Sequence, residues 1–250
     1  MKILPVLDLK GGVVVRGVAG RRDEYRPIVS RQCDDPSPAS VARGLREAFG
    51  FDECYVADLD AIAGGEMNSA AYAAVVAAGM RPWIDAGAVE RPPNFLPSFL
   101  TFGSCMATTI LGLESFPDDR SYLDQIDWDP LTVFSLDLKQ GKPLTSVSAW
   151  SELSAEEVAD QFIERGVRAM IVLDLASVGM GQGVPTLDLC RLLRRKHPQL
   201  EIISGGGVRD VSDLHSLREA GCNAALVASA LHDGRLTPEM LKTFSPDERT

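Results

Sequence analysis

Val6-Leu-Asp8-Leu-Lys10, near the start of the chain, returns as Ser135-Leu-Asp137-Leu-Lys139 just past its midpoint. Each stretch closes an apolar run with an aspartate, and a lysine and a glycine follow within a few residues. Two further pairs repeat in the same order. Val56-Ala-Asp58-Leu59 is matched by Leu173-Asp174-Leu175, and Asp85-Ala-Gly-Ala-Val89 by Ser204-Gly-Gly-Gly-Val-Arg209. One such match arises easily by chance, but three in register describe a chain built from two related halves.

Working outward, short β-rich runs occur at Ile3–Leu9, Glu53–Leu59, Pro82–Asp85, Thr108–Gly112, Leu131–Leu138, Ala169–Leu175, Glu201–Ser204 and Ala224–Ala228. Helical patterns lie between them, as where Ser154 and Glu157 form a capping box ahead of Val158, Phe162 and Ile163. Strands alternating with helices imply a parallel sheet. Eight strands in 250 residues, with no linker-like break, predict one (β/α)8 TIM barrel over residues 1–250, with a half-barrel internal repeat. The stretch Glu90–Ala107, with prolines at 92, 93 and 97, predicts a short and irregular third helix.

The chain is 45% hydrophobic, enough for a large core without disulfides. Its net charge of −10 argues against nucleic acid or an anionic membrane as the partner. A phosphorylated small molecule stays possible, because helix N-termini bind phosphate whatever the global charge. The five cysteines are scattered and the three histidines have no metal-ligand spacing, so no metal site is expected and a reducing, cytoplasmic setting is. The N-terminus opens directly into a strand, so no signal peptide is expected. No apolar run approaches the roughly 20 residues a membrane span needs.

In a parallel barrel the C-terminal strand ends form the active face. Asp8 and Asp137 should stand there on strands 1 and 5, opposite one another across the mouth, which suits an acid and a base acting at two points of one substrate. Either aspartate alone would be explained equally well as a helix cap, and their repeat-related placement favours catalysis. Gly205, Gly206 and Gly207 leave backbone N–H groups bare between a strand and a helix, and Ala228 and Ser229 supply a second wall. Barrels commonly hold phosphate after strands 7 and 8. In the first half the matching places keep only Gly87 and Gly112, and Asp85 and Glu114 would repel an anion, so a second phosphate site there would be degraded. Asp58 and Asp174 either orient substrate hydroxyls or are satisfied carboxylates of the mouth. The loop from Arg16 to Pro36, with Arg16, Arg21, Arg22 and Arg26, is either a lid or a solvated loop. Trp150, read as exposed on a polar loop, is a candidate for stacking on a planar substrate.

Pro5-Val-Leu-Asp8-Leu-Lys-Gly-Gly-Val-Val-Val-Arg16, Val56-Ala-Asp58-Leu-Asp60, Asp137, Asp174 and Ser204-Gly-Gly-Gly-Val-Arg209 together resemble the histidine-biosynthesis barrel family. That family contains the phosphoribosylformimino-aminoimidazole-carboxamide ribotide isomerase and the cyclase subunit of imidazole glycerol phosphate synthase. The resemblance runs from strand 1 to strand 8. It implies general acid–base roles for Asp8 and Asp137, a substrate with a phosphate at each end, one of them near Gly206, Gly207 and Ser229, and no cofactor. Ser148-Ala-Trp150-Ser-Glu152 resembles the isomerase's fifth loop, which weighs against the cyclase and its ammonia-supplying glutaminase partner. Ala225-Leu-Val-Ala-Ser229-Ala-Leu-His232 resembles the cyclase's last strand.

The chain also departs from the family pattern. Ala176-Ser-Val-Gly-Met-Gly181 stands where the family has Arg-Asp-Gly-Thr, the first-half triple glycine is missing, and Ala19 replaces a glutamine in the first loop. These departures are similar to those of paralogues from organisms that use tetrahydromethanopterin or methanofuran in one-carbon metabolism, which implies a substrate with one phosphate. The expected activity is therefore an aldose–ketose (Amadori-type) isomerase. A one-carbon paralogue, a cyclase or lyase, and a non-catalytic phospho-ligand-binding subunit stand as alternatives.

Overall fold

A computed structural model describes residues 1–87, 101–102, 105–118, 123, 126 and 128–242. Eight parallel strands close on themselves: β1 (Lys2–Lys10), β2 (Glu53–Asp58), β3 (Arg81–Asp85), β4 (Thr108–Gly112), β5 (Thr132–Lys139), β6 (Ala169–Asp174), β7 (Glu201–Gly205) and β8 (Ala224–Val227). Each pairs with the next, and β8 returns to β1 with Lys2 opposite Ala224 and Pro5 opposite Val227. The predicted strands agree with these to within one residue at either end. A closed ring leaves none of its own strands with an unpaired edge.

Side chains alternate across each strand, and the two sets fill two separate apolar layers. Leu4, Tyr55, Ala57, Trp83, Ile110, Val133, Ile171, Leu173, Ile203 and Leu226 fill the barrel interior. Leu7, Leu9, Val56, Ile84, Leu111, Phe134, Leu136, Val172, Ile202 and Val227 pack outward against the helices.

The helices around the ring include α1 (Pro38–Phe49), α2 (Ser69–Ala77), α3 (Ala155–Glu164), α4 (Leu187–Lys196) and α5 (Val211–Glu219). Helix α1 starts on Ser37, whose hydroxyl accepts from Ser40 N–H, and stops at Gly50 in the left-handed region. Helix α3 carries the predicted capping box, with Ser154 and Glu157 satisfying each other's backbone donors. Its inner face buries Val158, Ala159 and Phe162. The predicted irregular helix within 90–107 lies largely outside the described residues. Of that stretch, Thr101–Phe102 and Cys105–Met106 form a small antiparallel ribbon. Among the described residues no helix is long and apolar enough to cross a membrane.

Candidate functional site

The interior layer ends at the C-terminal rim of the strands in a cavity enclosing about 820 Å3, counting its open mouth. Asp8, Asp85 and Asp137 line it together with Glu114, Arg22, Tyr25 and Tyr55. The placement follows from strand parity. Asp8 shares a face with Leu4 and Val6, Asp85 with Trp83, and Asp137 with Val133, so all three point inward at the last turn of the sheet. The expected meeting of Asp8 and Asp137 from opposite sides of the ring is what the fold produces.

Burial dominates the electrostatics. It lifts Asp8 to about 7 against the pull of Arg22. Asp85 rises to about 6, with burial outweighing the Gly87 N–H that favours its charged form. Asp137 is pushed well above the usual carboxylate range, first by burial and then by the charges of Glu114 and Asp85. Carboxylates shifted toward neutrality can hold or release protons near neutral pH. The hydroxyl of Ser135 donates to Asp137 Oδ1 at 2.8 Å, and Tyr55 donates to Asp85 Oδ2 at 2.9 Å. Among the described residues Asp8 accepts no hydrogen bond.

The first loop reaches over this mouth. Ala19 N–H donates to Val178 O at 2.7 Å, tying it to the loop after β6. The crossing is close: a Cβ on Gly17 would lie 2.8 Å from Val178 Cγ1 and 3.0 Å from Asp8 Oδ2, so only glycine fits. Arg22 enters the cavity and pairs with Glu114. The loop is therefore anchored at the mouth through Ala19 and Arg22, while Arg21 and Arg26 stay exposed to solvent. Arg16 stands apart, bonded to Asp233 in the loop after β8 and absent from the cavity lining.

On the opposite wall are Gly206, Gly207, Val208, Ala228 and Ser229. Gly206 and Gly207 have φ of 76° and 94°. Among the described residues no protein acceptor takes the N–H groups of Gly207 and Val208. The glycines are also required by packing, because a Cβ on Gly207 would overlap Gly183 O and one on Gly206 would sit 3.0 Å from Ser177 Oγ. Gly205 is absent from the cavity lining, and a Cβ there would collide with Leu226. Ser229 Oγ accepts from Arg235 at 3.1 Å, which brings a guanidinium to this wall.

The matching first-half positions are filled by the protein itself. Gly87 N–H donates to Asp85 Oδ1 at 3.1 Å, and Glu114 N–H to Asp137 Oδ2 at 3.4 Å. A Cβ on Gly112 would lie 2.9 Å from Asp137 Oδ2 and 3.5 Å from Asp85 Oδ2, so carboxylate oxygens occupy the space above that backbone.

The expectation for Trp150 needs correction, and parity bears on the two readings of Asp58 and Asp174. Trp150 is 2% exposed, in a short helix at Ser148–Ser151. It packs edge-on to Phe116 and beside Phe162, and its Nε1–H donates to Gln161 at 3.2 Å, outside the cavity lining. A single aromatic among serines carries no local sign of the outer core it joins. Asp58 follows Ala57 and Asp174 follows Leu173, so parity turns both away from the mouth. Asp58 caps the short helix Leu59–Ile62 through Ala61 N–H, and accepts from Asn68 N–H and the Tyr72 hydroxyl. Asp174 accepts from the N–H groups of Gln140, Gly141 and Ala176. Both are satisfied carboxylates holding loops, the second of the two readings open to them.

Tyr25 and Tyr55 were missed. Tyr55 could have been found, since it shares the inward face of β2 with Ala57. Tyr25 lies in an irregular loop with no periodicity to place it.

The chain is similar over nearly its full length to proteins of known sequence. An uncharacterized protein of Methanocaldococcus jannaschii is 30% identical over 239 residues, covering 96% of each chain. The 1-(5-phosphoribosyl)-5-((5-phosphoribosylamino)methylideneamino) imidazole-4-carboxamide isomerase of Methylobacterium nodulans is 32% identical over 247 residues, covering 94% of this chain and 91% of the relative. The isomerase of the same name from Bacteroides thetaiotaomicron is 26% identical over 247 residues, covering 98% of this chain and 99% of the relative. The model of the histidine biosynthesis protein family matches residues 2–237, and the chain, with its closed barrel and paired mouth aspartates, belongs to that family.

Proposed function

We propose that this chain is an isomerase of the Amadori type, converting an N-linked aldose phosphate into the corresponding 1-amino-1-deoxyketose phosphate. The observation that carries the reading is the convergence of Asp8 and Asp137, from opposite strands, on one buried cavity. Relatives named as isomerases over more than nine-tenths of the chain support it.

The chemistry assigns each aspartate a task. Asp137, whose carboxyl burial pushes well above the usual range, gives a proton to the ring oxygen; the C1–O bond breaks and the C1–N bond becomes an iminium. Asp8, poised near pH 7, takes the C2 proton, and the electron pair moves to give an enaminol. Return of a proton to C1 and loss of the hydroxyl proton at C2 complete the ketose. C2 is oxidised and C1 reduced within one molecule, so no external electron acceptor enters the balance. The phosphate lies against the N–H groups of Gly207 and Val208, beside Ala228 and the Ser229 hydroxyl.

The test uses the adduct that aniline forms with ribose 5-phosphate. Wild-type protein should convert it to 1-anilino-1-deoxyribulose 5-phosphate, followed by NMR in heavy water. Asp8→Asn and Asp137→Asn should each slow the reaction by roughly 10^3. Turnover by either variant at the wild-type rate, or none by the wild type, would remove the proposal.

A further inference from the structure

The two ends of the cavity offer opposite chemistry. At the β7–β8 end, N–H groups without a protein acceptor and a nearby arginine await an anion. At the β3–β4 end the described N–H groups of Gly87 and Glu114 already have carboxyl acceptors, because Asp85 and Asp137 turn back onto them. Their oxygens also fill the space above Gly112 where a phosphate would approach. A ligand phosphate there would have to displace buried carboxylates and then lie beside them, and both steps cost free energy.

One cation is already seated in this cluster. Arg22 arrives from the first loop and places its guanidinium on Glu114. It pairs with Glu114, and among the described residues neither Asp85 nor Asp137 has a salt-bridge partner. The Tyr55 hydroxyl gives Asp85 a hydrogen bond but no charge. With Asp137 engaged in proton transfer, Asp85 faces the cavity beside Glu114 as an acceptor for a further nitrogen cation.

From this asymmetry we infer that the substrate carries one phosphate, at the β7–β8 end, and at its far end a protonated amine received by Asp85 and Glu114. The inference rests on the reading of this mouth as the substrate site. An ammonium group supplies the donors that carboxylates lack and the charge that the cluster leaves unmatched, and charge-assisted bonds are the stronger kind in an enclosed site. A bis-phosphate substrate fits one end of this cavity only.

Three inert probes of equal size test the claim, each an arylamine joined by reduction to ribose 5-phosphate and so unable to isomerise. The far ends are neutral (4-ethylaniline), cationic (4-(aminomethyl)aniline, linked through its aryl nitrogen) and anionic (4-aminobenzoate). Calorimetric titration of the wild-type protein should rank them cationic, neutral, anionic, with at least about tenfold between the first two. Asp85→Asn should bring cationic and neutral probes within about threefold, as should Glu114→Gln, and the use of both guards against one variant disturbing the first loop. Equal or tighter binding of the neutral or anionic probe would overturn the inference, as would an unchanged ranking in both variants. Turnover of the aniline adduct without this ranking would sink the amine and spare the isomerase. The ranking without turnover would do the reverse, and no binding by any probe would end both.

Discussion

The two halves of this barrel share a plan and differ in what they do with it. After β7 and β8, the positions around Gly206, Gly207 and Ser229 present N–H groups, a hydroxyl and a nearby guanidinium to the cavity. After β3 and β4, the related backbone donates to Asp85 and Asp137 instead. The same local geometry thus leaves its donors open in one half and turns them onto the protein's own carboxyl groups in the other. A half-barrel repeat conserves where donors point and leaves individual side chains free to change the ligand. Here two alanines, an aspartate and a glutamate in place of glycines and neutral residues convert an anion site into an acidic wall.

Exchanging aspartates should give the largest effect. Asp137→Asn should lower the rate by roughly 10^3, whereas Asp174→Asn, one strand away but facing the outer layer, should stay within about tenfold. Steady-state kinetics on the aniline adduct separates them, and equal losses would erase the distinction between inward and outward parity. Gly207→Ala should come next, destabilising by about 3 kcal/mol in chemical denaturation, because a left-handed φ and an overlap with Gly183 O act together. Gly112→Ala has ordinary backbone geometry and should cost about 1 kcal/mol while displacing Asp137 and reducing kcat.

The pH dependence is smaller and has a definite sign. Asp8 titrates near 7 in the folded chain, against an ordinary value of 3.8. The folded state therefore binds this proton more tightly, and the associated stability is complete below about pH 4 and lost as pH rises through 7. Asp8→Asn should exceed the wild type in stability by ~2 kcal/mol at pH 8, with the advantage shrinking toward pH 4. An advantage constant with pH would mean that the carboxylate is not desolvated. Least in size, Trp150→Phe should cost about 1 kcal/mol through its packing on Phe116 and Phe162, with KM unchanged. A rise in KM would return Trp150 to the substrate site.

Strand positions and both catalytic candidates were legible because they rest on strong periodic signals. Asp8 and Asp137 end long apolar runs, and the repeat fixes their relation across the ring. Asp58 and Asp174 look the same by that signal, and what separates them is parity. Counting residues back along β2 and β6 turns them outward, a deduction available in the sequence once the inner face is known. Trp150 shows a different limit. Its burial depends on Phe116 and Phe162, distant in the chain, and no local pattern records that meeting. Arg22 was legible only as part of a basic loop, since its placement on Glu114 follows from how that loop crosses Gly17 and Gly179.

The asymmetry of the halves is tested most directly by inorganic phosphate, followed by 31P NMR titration and located in crystals grown with it. One equivalent should bind, against the N–H groups of Gly207 and Val208 near Ser229. Phosphate seated on Gly87 or Gly112, alone or as a second equivalent, would contradict it.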